Sequence, residues 1–226
     1  MKLAAVSAAL LLAAPALAAD EAPIAVERSL TVPLAAGGTV TVDETWGDLD
    51  IVAWDKAEVS VDFRASSQKS YPADESAEAR AKLERFGVEA TAVSADAVTV
   101  TGINPGATLG SPFGGKSGVR MTYTVHVPRD SRLVVRHAVG SVGVKDVAGD
   151  VDVQGGTGEL TLDLPLGPTT SVEASTRIGD IQVPQAMSEG GTHKRRALVG
   201  ERFSYVPATV ERRVIARLSI GSIDIE

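Results

Sequence analysis

Gly149-Asp150-Val151-Asp152-Val153 is the stretch on which the fold turns, because four other segments repeat its pattern of glycine, small polar or acidic residue, apolar, any, apolar. They are Gly47-Asp48-Leu49-Asp50-Ile51, Gly140-Ser141-Val142-Gly143-Val144, Gly179-Asp180-Ile181-Gln182-Val183 and Gly221-Ser222-Ile223-Asp224-Ile225, with Gly158-Glu159-Leu160-Thr161-Leu162 as a close variant. Each reads as a turn feeding a strand with one buried face, since successive side chains along a strand point to opposite sides. Glycines 140, 149 and 158 stand at equal intervals. Two turn-plus-strand units then make one coil of a two-sided stack, and no coil can bury its own inner face without a neighbour. Val142, Val151, Ile181 and Ile223 are expected in one dry interior, with their acidic neighbours facing water.

Working outward, residues 24–64 alternate as strands, and so do 88–93, 97–101 and 119–127. A single helix is expected at about residues 73–86. Asp74, Glu75 and Glu78 fall at its start and Arg80, Lys82 and Arg85 at its end, which complements the helix dipole. Ala79, Leu83 and Phe86 form one apolar stripe for covering the strands. The fold class is therefore mainly β, a short β-helix or β-solenoid-like stack with one covering helix. Its organisation is a leader at 1–18, a β-rich part with the helix at 24–128, and a repeat-containing part at 129–226, the last two forming one continuous domain.

The leader has Lys2, an apolar run from Leu3 to Leu12, and Ala16-Leu17-Ala18 as a small-x-small cleavage pattern. That run is too short for a membrane span. Cleavage is expected after Ala18 or Ala19, delivering a bacterial periplasmic or extracellular protein. The chain has no cysteine and a formal net charge of −7, which argues against disulfides and against a nucleic-acid partner.

The segment Trp46-Gly47-Asp48-Leu49-Asp50-Ile51-Val52-Ala53-Trp54-Asp55, the acidic-to-basic helix, the alternating strand at 97–101 and the terminal glycine repeats together resemble the bacterial "putative adhesin" family of domains of unknown function. The resemblance covers about residues 40–226. It implies a β-helix-like fold in exported or membrane-associated proteins and brings no catalytic residues with it.

Several constellations carry possible chemistry. Gly110-Ser111-Pro112-Phe113-Gly114-Gly115-Lys116-Ser117 matches the phosphate-cradling loop pattern, yet an alternating strand follows it where that loop requires a helix. It reads as a flexible connection. Gly155-Gly156-Thr157-Gly158 matches the glycines of calcium-binding repeats, but Leu160 replaces the aspartate; Asp150, Asp152, Asp163 and Asp180 could gather only between coils. His126, His137 and His193 show no ligand spacing. No catalytic, cofactor or metal residue is assigned. The pairs Asp48/Asp50 and Asp150/Asp152 face outward, and polysaccharide enzymes on β-helices use such acids, so an enzyme is the first rival reading.

Two features suit binding. Trp46 and Trp54, on a regular strand, would share the face of Asp48 and Asp50 and offer aromatic platforms, or else pack as a seal. Lys194, Arg195 and Arg196, reinforced by Arg202, Arg212 and Arg213, form a basic stretch suited to anionic envelope polymer or lipid headgroups, or a solvated hairpin whose charges protect an edge. The expectation is a non-catalytic, adhesin-like envelope module that binds a surface polymer or a protein partner without a cofactor; a signalling accessory is the second rival.

Overall fold

The computed structural model describes residues 23–72, 74–105, 118–196 and 199–226. The leader and the loop at 110–117 lie outside the described residues. In chain order the elements are β1 (Pro23–Pro33), β2 (Thr39–Trp46), β3 (Asp48–Trp54), β4 (Glu58–Ser70), α1 (Ser76–Leu83), β5 (Gly87–Ser94), β6 (Ala97–Ile103) and β7 (Val119–Pro128). Then come β8 (Arg132–Val139), β9 (Val142–Lys145), β10 (Val151–Asp163), β11 (Thr170–Ile178), β12 (Ile181–Gln182), α2 (Gln185–Gly190), β13 (Thr192–Arg196), β14 (Gly200–Tyr205) and β15 (Arg212–Ile225).

The strands make one nearly closed sheet folded into two layers. The first layer runs β5-β6-β2-β8-β10-β15-β11-β14-β13, and the second β1-β4-β7-β3-β9-β10-β15-β12. β10 and β15 belong to both, bending between layers at Gly158 and Gly221. At the centre, five parallel rungs stack in the order β2/β3, β8/β9, β10, β15, β11/β12.

The repeated glycines make the bend. Gly47, Gly140, Gly158, Gly221 and Gly179 have φ of 134°, 134°, 153°, 131° and 135°, a region closed to most side chains. They also stand rung on rung. A Cβ on Gly140 would fall 1.8 Å from the Gly47 carbonyl oxygen, and one on Gly158 1.9 Å from that of Gly140. One on Gly221 would fall 1.7 Å from the Gly158 oxygen, and one on Gly179 1.8 Å from that of Gly221. Both conformation and closeness therefore demand glycine. At the opposite corner Arg212 replaces that device, donating to the carbonyls of Gly149 (2.8 Å), Pro165 (2.8 Å) and Val147 (2.6 Å).

Inside, the alternation builds continuous apolar rows. Val40, Leu133, Val151, Val214 and Val172 are cross-strand neighbours in the first layer. Leu49, Val142, Leu160, Ile223 and Ile181 face them from the second. All ten are buried in one core, each contributing roughly 1.5–3 kcal/mol. Val142, Val151, Ile181 and Ile223 thus share the interior that the repeats predict.

The structure is mainly β, as the sequence indicates, but it does not show a sequentially wound β-helix. β15, last in the chain, lies between β10 and β11. The reason is that β14 pairs antiparallel with the far edge of β11, so the near edge is the one left for β15. Antiparallel strands also extend the other end, β4 and β1 beyond β7 and β5 beyond β6. The expected covering helix is present as the shorter α1, which packs on β1 and β4 through buried Ala79 and Leu83. A second short helix, α2, was not expected. No helix among the described residues is long and apolar enough to cross a membrane.

Candidate binding face and the buried polar row

The same alternation that fills the core sends every second side chain of the first layer outward. Register places Arg136, Gln154, Arg217, Ser175, Arg202 and Lys194 side by side across β8, β10, β15, β11, β14 and β13. Its cations recur on every second strand, about 9.6 Å apart at the usual strand spacing, until Lys194 adjoins Arg202. All four are exposed. Arg132 and Arg213 lie on the same outer face nearer the loop corner, and Arg177 nearer the glycines. Between Arg202 and Arg217 a depression of about 300 Å³ is lined by Glu173, Ser175 and Ser204. Arg217 is held at its edge by Asp152 at 3.3 Å.

Part of the outer face of the second layer carries the opposite sign. A shallow groove there is lined by Asp50, Glu159, Asp163 and Glu226, with Lys145 bonded to Asp163 at 3.0 Å as its cation. Asp48 and Asp224 flank it on β3 and β15. The protein therefore has a cation-rich patch on its first layer and an acid-rich groove on its second.

The sequence-derived candidates distribute unevenly. Lys194 joins the cation row through its pairing with Arg202. Arg195 pairs with Glu201 in register, one step out of that row, and Arg196 pairs with Gly200. Arg212 is not a surface cation, because its guanidinium is spent on the three loop carbonyls. Trp46 and Trp54 do not share a face: the Gly47 bend puts them in different layers. Trp54 stacks on His126 with ring centroids 5.0 Å apart, donates to the Glu58 carbonyl at 2.8 Å and lies under Lys56, whereas Trp46 pairs with Val139. Arg136 and Arg217 escaped the sequence reading. Their signal was the spacing of Arg132/Arg136 and Arg213/Arg217, four apart in strands of period two, which puts each pair on one face.

The aspartates weighed for calcium do not gather. Asp150 accepts the Arg213 backbone N–H at 2.8 Å, Asp152 meets Arg217, and Asp163 meets Lys145. Among the described residues no three His, Cys, Asp or Glu side chains converge as a metal site.

Next to the glycine bend, one inner row of the first layer turns polar. Glu44, His137, Gly155, Leu218 and Thr176 are successive cross-strand neighbours. Glu44 is only 3% exposed. One of its oxygens accepts the N–H groups of Thr45 and Trp46 at 3.0 Å, and the carboxyl packs so tightly on Gly102 that a Cβ there would overlap it. Burial pushes its pKa up to about 7, against the lowering effect of those hydrogen bonds and of the Tyr123 hydroxyl. His137, 5% exposed, has neither ring nitrogen in a well-formed hydrogen bond, and burial draws its pKa down against the raising effect of the nearby Gly47 and Val139 backbone.

The other end of the row is fully engaged. The Thr176 hydroxyl donates to the Gly179 carbonyl at 3.0 Å and accepts the Glu201 N–H at 3.2 Å. Glu201, also buried, accepts the Ile181 N–H at 3.0 Å on one oxygen and faces His193 Nδ1 at 3.2 Å with the other. His193 Nε2 lies 3.3 Å from the Ser188 hydroxyl on α2, and its ring packs on Phe203. This chain of three side chains ties α2 to the β13/β14 hairpin.

No family model matches the chain, and no curated protein matches it. Among solved structures it is similar to a "putative cell adhesion protein" from Clostridium sporogenes, at 12% identity over 88% of this chain and 98% of that one, with a TM-score of 0.47. It is also similar to a "putative adhesin" from Bacteroides fragilis, at 11% identity over 90% of this chain and 97% of that one, with a TM-score of 0.28.

Proposed function

We propose that this chain is an exported, non-catalytic envelope module that binds a surface component through its basic face, with the five stacked rungs acting as a short solenoid-like scaffold. The observation that carries the reading is the segregation of charge. A chain of net charge −7 gathers Arg132, Arg136, Arg177, Lys194, Arg202, Arg213 and Arg217 on one outer face. Such a field steers an anionic partner to that side and repels it from the other. A flat sheet with a packed interior loses little conformational freedom on binding, which favours affinity. Co-sedimentation of the protein with isolated envelope material tests this. Binding at low salt that is released by about 0.5 M salt, where charges are screened within a few ångströms, supports it; no binding at any salt concentration sinks it.

A second reading, hydrolysis of an ester on an envelope polymer, rests on the Ser188–His193–Glu201 chain. Its order matches a serine nucleophile, a histidine base and an acid that orients the imidazole, and the acid is anchored by the Ile181 N–H. In that reaction the Ser188 oxygen bonds to the acyl carbon while His193 takes its proton and returns it to the departing alcohol. Water then attacks the acyl-serine and releases the acid. Turnover of a simple acetate ester that Ser188→Ala abolishes would establish it, and absence of turnover by the wild-type protein removes it.

A further inference from the structure

We infer that the depression between Arg202 and Arg217 is the binding site for one acidic sugar of a linear anionic polysaccharide, with Lys194 and Arg136 engaging charges on either side along the same chain. This rests on the basic face being the binding face and names what it binds.

The shape of the charge selects the ligand. Arg136, Arg217, Arg202 and Lys194 lie on one straight register line that ends against Asp43, the partner of Arg136 on β2, with Arg132 and Arg213 farther toward the loop corner and Arg177 toward the glycines. On one flank of that line stand Asp152 and Glu173, which oppose the approach of a planar sheet of phosphates. An extended chain laid along the row meets a cation on every second strand and two adjacent ones at its end, whereas a lipid surface meets the flanking acids too. The depression has the mixed chemistry that a charged sugar needs. Arginine forks match carboxylate or sulfate groups in bidentate geometry. Ser175, Ser204 and the Glu173 carboxylate can bond to sugar hydroxyls, Glu173 only as an acceptor. Its volume of about 300 Å³ lies at the lower end of ligand sites. The Asp152 bond fixes Arg217 before any ligand arrives.

The test uses polygalacturonate, its neutral methyl-esterified form, and phosphatidylglycerol vesicles as probes, with affinity measured by calorimetry. Polygalacturonate should bind and its neutral form and the vesicles should not. Arg202→Gln/Arg217→Gln should weaken binding by about tenfold or more, while the charge-matched pair Lys82→Gln/Arg85→Gln, on and just after α1, should leave it unchanged. Glu173→Gln decides between recognition and mere attraction. If Glu173 holds sugar hydroxyls, its loss weakens binding; a purely electrostatic surface would bind more tightly on losing a negative charge, and that result overturns the inference. Equal loss in the Lys82/Arg85 pair, or preference for vesicles, also overturns it. Melting curves of each exposed-site variant check that the fold is intact. Envelope co-sedimentation that survives in Arg202→Gln/Arg217→Gln defeats the sugar site and leaves envelope binding standing, whereas wild-type protein that does not co-sediment defeats the broader reading.

Discussion

The two ends of the inner polar row hold the same pair of residue types and treat them oppositely. At the β2/β8 end, Glu44 and His137 are adjacent and deeply buried, and burial outweighs the hydrogen bonds that Glu44 accepts, so both are driven toward their neutral forms. At the β11/β14 end, Glu201 is less deeply enclosed, 8% exposed against 3% for Glu44, spends each oxygen on a partner, and its histidine reaches solvent. The lesson is that the same two residue types differ with depth: at the β2/β8 end desolvation dominates, and at the β11/β14 end the side chains serve as hydrogen-bond links.

Both ends depend on the glycine bend, so the harshest test removes it. Gly158→Ala should lose more than about 4 kcal/mol, combining a forbidden φ with a clash against backbone that no rotamer relieves. A urea midpoint close to wild type would mean that the rungs are not locked there.

Next in size is the pH response of the β2/β8 end. The folded-state pKa of Glu44 is raised from 4.5 to about 7, so the folded protein holds a proton that the unfolded chain has released in that window. Its contribution is present below pH 4.5 and is lost as pH rises through 7, a fall of about 3 kcal/mol at 1.36 kcal/mol per unit. His137 acts the other way. Its lowered pKa makes its contribution rise with pH up to its ordinary value near 6.5. Glu44→Gln should therefore remove the decline seen between pH 4.5 and 7, and His137→Gln should steepen it. Denaturant titrations at several pH values read both slopes.

At the opposite end, Glu201→Ala should cost about 2 kcal/mol by orphaning the Ile181 N–H and one face of His193, whereas Glu201→Gln, which keeps an acceptor, should cost less than about 1 kcal/mol. Equal losses would show that charge, not hydrogen bonding, holds this end. Smallest of all, Ser188→Ala should change stability by less than about 0.5 kcal/mol, because its hydroxyl is exposed.

The inner rows were legible because period-two alternation and the glycine motif act locally: Val142, Val151, Ile181 and Ile223 declare their side within five residues. The mainly β class follows from the same signals. What the sequence hid was anything set by which strand lies beside which. Nothing near Arg212 announces that β15 slips between β10 and β11, and so nothing announced that Arg212 would brace loops rather than face a ligand. Trp46 and Trp54 misled because one positive φ at Gly47 resets the alternation between them. Glu44 was readable in part: it continues the inward series of Val40 and Val42, although its nearness to His137 comes from register alone. The cation row likewise combines residues from four strands that only pairing aligns.

The position of β15 has a consequence for how the molecule is completed. Both of its parallel neighbours, β10 and β11, precede it in the chain, so they are delivered first and must wait with facing edges unpaired until residues 212–225 arrive. While the chain is being made, its N-terminal portion thus carries an open seam through its middle, and the last of these strands works as a keystone: the two halves become one body only when it is set.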